Sequence, residues 1–218
     1  MGTPWRARPV RLPASDESAL MSMFVTSIEP GPSLGRVRRW LVCIDLQREY
    51  VVPGRPLYSE AADGVAKAGS RLLAHARANG WRVVHTQLRH ADGLFAPTGL
   101  FGAPIEGLRP RISEPVFFRS GLSAFSNPEF AAELRDAMGE EVYLIGFSLN
   151  HTCLATAFAA VDAGLSVTVV EDAMGVSPCA GVSEGRTGEI ADAILAPFVR
   201  FATSDELIEA NEPMGAGL

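Results

Sequence analysis

Trp40-Leu41-Val42-Cys43-Ile44-Asp45 is the stretch that decides the fold. Five apolar residues in a row, closed by a carboxylate, suit a strand covered on both faces, the condition of strands in parallel sheets. Beyond it, Ser59 to Asn79 carries Val65, Ala68, Leu72, Leu73 and Ala76 at helical spacing, with Gly80 placed to end the helix. Arg82-Val-Val-His-Thr86 reads as the next strand, and a long loop from Arg89 to Ile112, rich in Gly and Pro, follows. Pro115 to Phe118 is a short strand. Asn127-Pro128 opens a helix to about Met138, with Asn as cap and Pro at its first position.

The alternation continues to the end. Glu141 to Ile145 is a strand closed by Gly146, and a helix of small residues spans about Asn150 to Ala163. Leu165 to Val170 is a strand ending at Glu171-Asp172, Ser183 starts a helix to about Leu195, and Val199 to Ala202 precedes a short last helix. Strands alternating with helices imply right-handed βαβ units. The expected architecture is a three-layer α/β/α domain with a mainly parallel sheet of about six strands, Rossmann-like in kind. Ligands of such sheets sit outside the carboxyl ends of the strands.

Composition narrows the class. The 218 residues are 47% hydrophobic, enough for one substantial core, and the formal charge is -6. Beyond Arg6 to Arg11 no basic block offers a nucleic-acid footprint. Three cysteines, Cys43, Cys153 and Cys179, form no pairing pattern, and no apolar stretch reaches bilayer length. These features point to a cytoplasmic protein with no membrane and no nucleic-acid partner. Residues 1–36, with five prolines, read as a flexible extension carrying one short ordered piece at Leu20 to Val25. Residues 37–212 form the domain and 213–218 a tail.

Three positions fall at predicted strand ends: Asp45, Arg119 and the turn from Gly146 to Cys153. Together with Val42-Cys-Ile-Asp45-Leu-Gln47, Ser123-Ala-Phe125, Gly146 to Ala157 and Val169-Val-Glu-Asp-Ala173, they make the chain resemble the isochorismatase-like hydrolases, the cysteine hydrolase superfamily, from about Trp40 to Leu207. The resemblance implies that Asp45 is the catalytic acid or base. It places Arg119 where amidases of the family carry a lysine, and Thr152 where they carry the nucleophilic cysteine. Cys153 follows one place later. One helical residue rotates a side chain by about 100°, so Cys153 is expected to face the packing. A bulge in the turn would bring its sulfur back, and Thr152 is either a hydroxyl nucleophile or a helix cap.

Isochorismatases proper also lack the cysteine and cleave an enol ether, with the aspartate as proton donor. The resemblance further implies a cis peptide at Phe147-Ser148 and a homo-oligomer, dimer or tetramer. Arg119 retains the positive charge in a planar, permanently protonated form suited to gripping a carboxylate. Its contact would lower the pKa of Asp45 and favour a base. Gln47, Tyr50, His85, Phe125, Phe147, Ser148 and His151 are the candidate substrate-binding residues, with Arg89 to Ile112 as a lid. His85 and His90 alone make a weak ligand signal, so no metal is expected, and no phosphate loop supports a nucleotide cofactor. Two functions follow: hydrolysis of a small, anionic amide or enol ether, or a catalytically inactive family member that binds a ligand or partner.

Overall fold

The computed structural model describes residues 38–210. The expectations placed on residues 1–36, Leu20 to Val25 included, and on the tail 213–218 lie outside the described residues. Six strands form one sheet: β1 (Arg39–Ile44), β2 (Arg82–Leu88), β3 (Val116–Arg119), β4 (Glu141–Gly146), β5 (Ser166–Met174) and β6 (Arg200–Ala202). Their order is β3-β2-β1-β4-β5-β6, and every pairing is parallel. The helices are α1 (Ala62–Ala78), α2 (Pro128–Glu133), α3 (Leu154–Asp162), α4 (Glu184–Leu195) and α5 (Ser204–Glu209).

Strand alternation sends side chains to two cores. Trp40, Val42 and Ile44 of β1 join Val84, Val142 and Leu144 against α2, α3 and α4. Leu41 and Cys43 join Val83, Tyr143 and Ile145 against α1, with α5 at its margin. The result is the expected three-layer α/β/α architecture. Among the described residues, no helix is long and apolar enough to cross a membrane.

Element ends differ from the sequence reading for local reasons. Helix α1 starts at Ala62, because the Ser59 N–H donates to the Tyr50 carbonyl (2.9 Å) and its hydroxyl to Glu184 (3.1 Å). Strand β2 continues to Leu88, which pairs with Arg119 of β3, so Arg119 is the last residue of its strand. Helix α2 is capped by the Asn127 side chain, which accepts from Glu129 N (2.8 Å) and Phe130 N (3.0 Å). It ends after Glu133 and tightens into a 3-10 turn over Leu134–Ala137. Strand β5 runs on to Met174, where it pairs with Gly146 after a register shift. The last helix carries a capping box between Thr203 and Glu206.

Two glycines admit the turn after β4. A Cβ on Gly146 (φ +130°) would stand 1.8 Å from the Ile44 carbonyl oxygen, and one on Gly175 would stand 2.0 Å from the Phe147 ring. Backbone oxygen cannot yield as a flexible side chain can. Gly146→Ala is therefore expected to destabilise the domain by about 3 kcal/mol or more in urea unfolding. Gly64→Ala, in α1 with nothing near its added carbon, should stabilise it by about 0.5–1 kcal/mol.

Candidate active site

The site is assembled at the carboxyl ends of β1, β2, β3 and β4. Directly after β1 the chain turns at Asp45, whose φ of +47° lies in the left-handed region that aspartate tolerates better than most residues. Asp45 N–H donates to Thr86 O at 2.9 Å, which closes the β1–β2 ladder. The carboxylate is fully buried. One oxygen accepts from Leu88 N (3.0 Å) and the other from Arg119 Nη2 (2.8 Å), which makes a buried ion pair. Arg119 also donates through Nη1 to Gly121 O at 3.1 Å.

Burial is the largest influence on Asp45. Loss of solvent pushes its pKa above the usual 3.8, and it outweighs the opposing pull of Arg119, Thr152 and the Leu88 N–H. The sequence reading gave Arg119 the larger influence, and the structure reverses that order because both side chains are excluded from water.

The turn after β4 supplies the other wall. Phe147-Ser148 is a cis peptide, at the bond the resemblance implies. Leu149–Cys153 then forms a single π turn before α3, where the sequence suggests one continuous α-helix. Cys153 N–H reaches back five residues to Ser148 O at 3.0 Å. Within this turn the Thr152 hydroxyl donates to Phe147 O (2.7 Å) and accepts from Ser148 N (3.1 Å). It lies beside Asp45 and helps hold that carboxylate down, yet its proton is directed at the backbone. Cys153 is 1% exposed and packs in the core beneath α3 with Ile44 and Leu149. Burial pushes its thiol well above the ordinary range.

Not all candidate lining residues gather here. The Tyr50 ring stacks on Phe147 (5.0 Å between centroids, 10° between planes) and leans on Phe95 of the long loop (5.5 Å). Ser148 is buried and pairs through its hydroxyl with Nδ1 of His151, which is exposed. The Gln47 side chain is committed to the backbone: its amide donates to Leu88 O (3.0 Å) and Gly102 O (2.8 Å), and its oxygen accepts from Leu88 N (3.0 Å). With Arg48 N to Ala103 O and Glu49 N to Phe101 O, it fastens the long loop to the segment that follows Asp45. Phe125 is half-buried and packs edge-on against Phe130 at 5.2 Å, within the α2 side of the core.

His85 is placed elsewhere. It sits three residues before the end of β2 and bonds Glu114 through Nε2 at 3.0 Å. Burial lowers its pKa below 6.5, with Glu114 opposing. Glu114 in turn takes two bonds from Arg77, at 2.7 and 2.8 Å, and one from Arg111 N at 2.8 Å. This cluster ties the trailing end of the loop to α1. Two contributors went unmarked in the sequence: the Leu88 N–H and the Phe95 ring. A backbone donor and a residue in an irregular loop leave no periodic signal. No group of three or more His, Cys, Asp or Glu among the described residues is placed to hold a metal ion.

A family model for the isochorismatase domain matches residues 39–197, which include all four strand ends. The chain belongs to the isochorismatase family. Among curated proteins it is similar to a maleamate amidohydrolase of Pseudomonas putida, 30% identical over 151 residues, covering 62% of this chain and 71% of that protein. Among solved structures it resembles an isochorismatase from Pseudomonas putida (TM-score 0.70, 27% identity, 78% of this chain and 89% of that one). A cysteine hydrolase from Pseudomonas syringae shares the fold (TM-score 0.70, 21% identity, 79% and 91%).

Two measurements follow from these placements. Iodoacetamide should label one thiol per native chain, at exposed Cys179, and leave buried Cys43 and Cys153 untouched. Mass spectrometry of the digested protein reads the sites, and rapid labelling of Cys153 would contradict the packing. For Glu114, burial alone would raise the pKa, but its hydrogen bonds hold it at about 2. A depressed carboxylate stabilises the fold above its unfolded value near 4.5 and loses that contribution as pH falls toward 2. Denaturant titrations across that window should show wild-type stability falling with acid, and Glu114→Gln should flatten the dependence.

Proposed function

We propose that this chain is a hydrolase of a small anionic amide that works without a thiolate, using Asp45 as the general base and Arg119 as the charge stabiliser. The observation that carries the reading is the buried Asp45–Arg119 pair beside a Thr152 hydroxyl that is already engaged by the backbone, with the nearby Cys153 thiol packed in the core. Water then attacks the amide carbonyl carbon while Asp45 takes its proton. The C–N bond breaks, the electron pair goes to nitrogen, and the proton leaves with ammonia. A desolvated carboxylate with a raised pKa is a stronger base than an exposed one once it is ionised. The anionic character of the substrate is supported by Arg119 Nε and the Thr86 hydroxyl, both buried with no hydrogen-bond partner. By strand alternation they lie on the same face of adjacent strands. The maleamate amidohydrolase relative acts, by its name, on an amide that also carries a carboxylate.

A second reading has its own support. Asp45, Arg119 and Thr152 are at most 5% exposed, and the loop is fastened beside Asp45 through Gln47, as suits a member that retains a ligand and has lost turnover. A panel of carboxylated amides, maleamate among them, together with isochorismate as the enol ether, separates the two. The amidase reading expects release of ammonia, with kcat lowered by about 10²-fold or more in Asp45→Asn. Arg119→Lys should act chiefly on KM, since it loses the planar fork and retains the charge. Ligand-induced thermal stabilisation with no product from any substrate would favour the binding protein.

A further inference from the structure

The outer edge of the sheet, at β3, carries a cleft of about 520 Å³, within the size of small-molecule sites. Arg89, Phe118, Arg119, Ser126 and Asn127 line it. No acidic residue is among the lining groups, although the chain as a whole has a formal charge of -6. Two features suit this cleft to an anion.

The first is a donor without an acceptor. Arg119 commits Nη2 to Asp45 and Nη1 to Gly121 O, but among the described residues its buried Nε has no hydrogen-bond partner. Such a group is costly to bury, and an oxygen from a ligand removes the cost. The second is a charge without a counter-charge. Arg89 directly follows β2, and its N–H donates to the Arg119 carbonyl at 2.8 Å, which holds the two backbones side by side. Its guanidinium lies over the Phe118 ring, 3.5 Å from the centroid. Among the described residues no carboxylate pairs with it. Stacking occupies the flat face of a guanidinium and leaves its N–H groups available at the edge, where carboxylate oxygens bind. Phe118 is fixed in turn by Asn127, whose amide donates to its carbonyl at 2.9 Å while the amide oxygen caps α2.

We propose that Arg89 binds a carboxylate of the ligand and selects charged amides over neutral ones. The ligand class rests on the amide reading above, which this site narrows to half-amides of small dicarboxylic acids. Arg119 has its own charge answered by Asp45, so it contributes the unmet Nε donor, and Arg89 contributes the uncompensated positive charge.

Calorimetric titration of the full chain with succinate, and with succinamide as the uncharged compound of the same skeleton, tests the assignment. Succinate should bind at least about tenfold more tightly than succinamide, and less tightly as salt is raised. Arg89→Gln, at an exposed position, should keep the melting midpoint, weaken succinate roughly tenfold and leave succinamide unchanged, while Arg89→Lys should recover part of the loss. No binding of succinate, an affinity indifferent to Arg89→Gln, or inorganic phosphate bound as tightly as succinate would overturn the proposal. Binding is read without turnover, which separates this site from the reaction. Succinate held through Arg89 with no ammonia released from succinamate supports the site and counts against hydrolysis. Ammonia released from succinamate with the same kcat/KM in Arg89→Gln as in wild type overturns the site and leaves hydrolysis standing.

Discussion

A carboxylate and a guanidinium, both all but excluded from water, meet where three strands end. Burying either alone would cost several kcal/mol, and their mutual attraction offsets that only if the remaining donors and acceptors are met. Asp45 meets the condition with one oxygen on Arg119 and the other on the Leu88 N–H. Those partners lie at the ends of β3 and β2, so the pair forms only if three strands end together in the observed register. The sheet therefore positions the pair, and a slip of one residue in any of the three strands would leave a buried charge unmatched. The long loop inherits its anchorage from the same place, because Gln47 grips both Leu88 and Gly102.

Opposite the pair, the turn after β4 sends two adjacent side chains to different surroundings. Gly146 lets the chain pass the Ile44 carbonyl, Gly175 makes room for the Phe147 ring, and the π turn sets Thr152 toward Asp45. Cys153, one position on, joins the core. The hydroxyl that faces the site is bonded at both ends to the backbone of the turn it stabilises. Attack by water, with Asp45 as base, is the chemistry we propose for this arrangement.

Much of the architecture is legible in the amino-acid pattern because buried parallel strands write themselves as apolar runs. Asp45 and Gly146 are visible as residues that close such runs. Arg119 is harder, since β3 is only four residues long and its last position looks like the start of a loop. The π turn is invisible, because small residues such as those after Asn150 suit a regular helix equally well. His85 misleads for a different reason: a polar residue in a strand resembles a site residue, whereas its partners, Glu114 and Arg77, come from distant segments. The direction of the Asp45 pKa is also beyond composition. It depends on whether Arg119 arrives with water or without it, and that is a property of packing alone.

The direct test of this account is the titration of Asp45 itself. Carboxyl-carbon NMR of the chain labelled at aspartate, with Asp45→Asn to assign the resonance, reads the protonation equilibrium without any substrate. Desolvation as the dominant influence predicts a midpoint above the ordinary aspartate value of 3.8. A midpoint below that value would mean that the guanidinium outweighs burial, and the chemistry assigned to the pair would have to be abandoned.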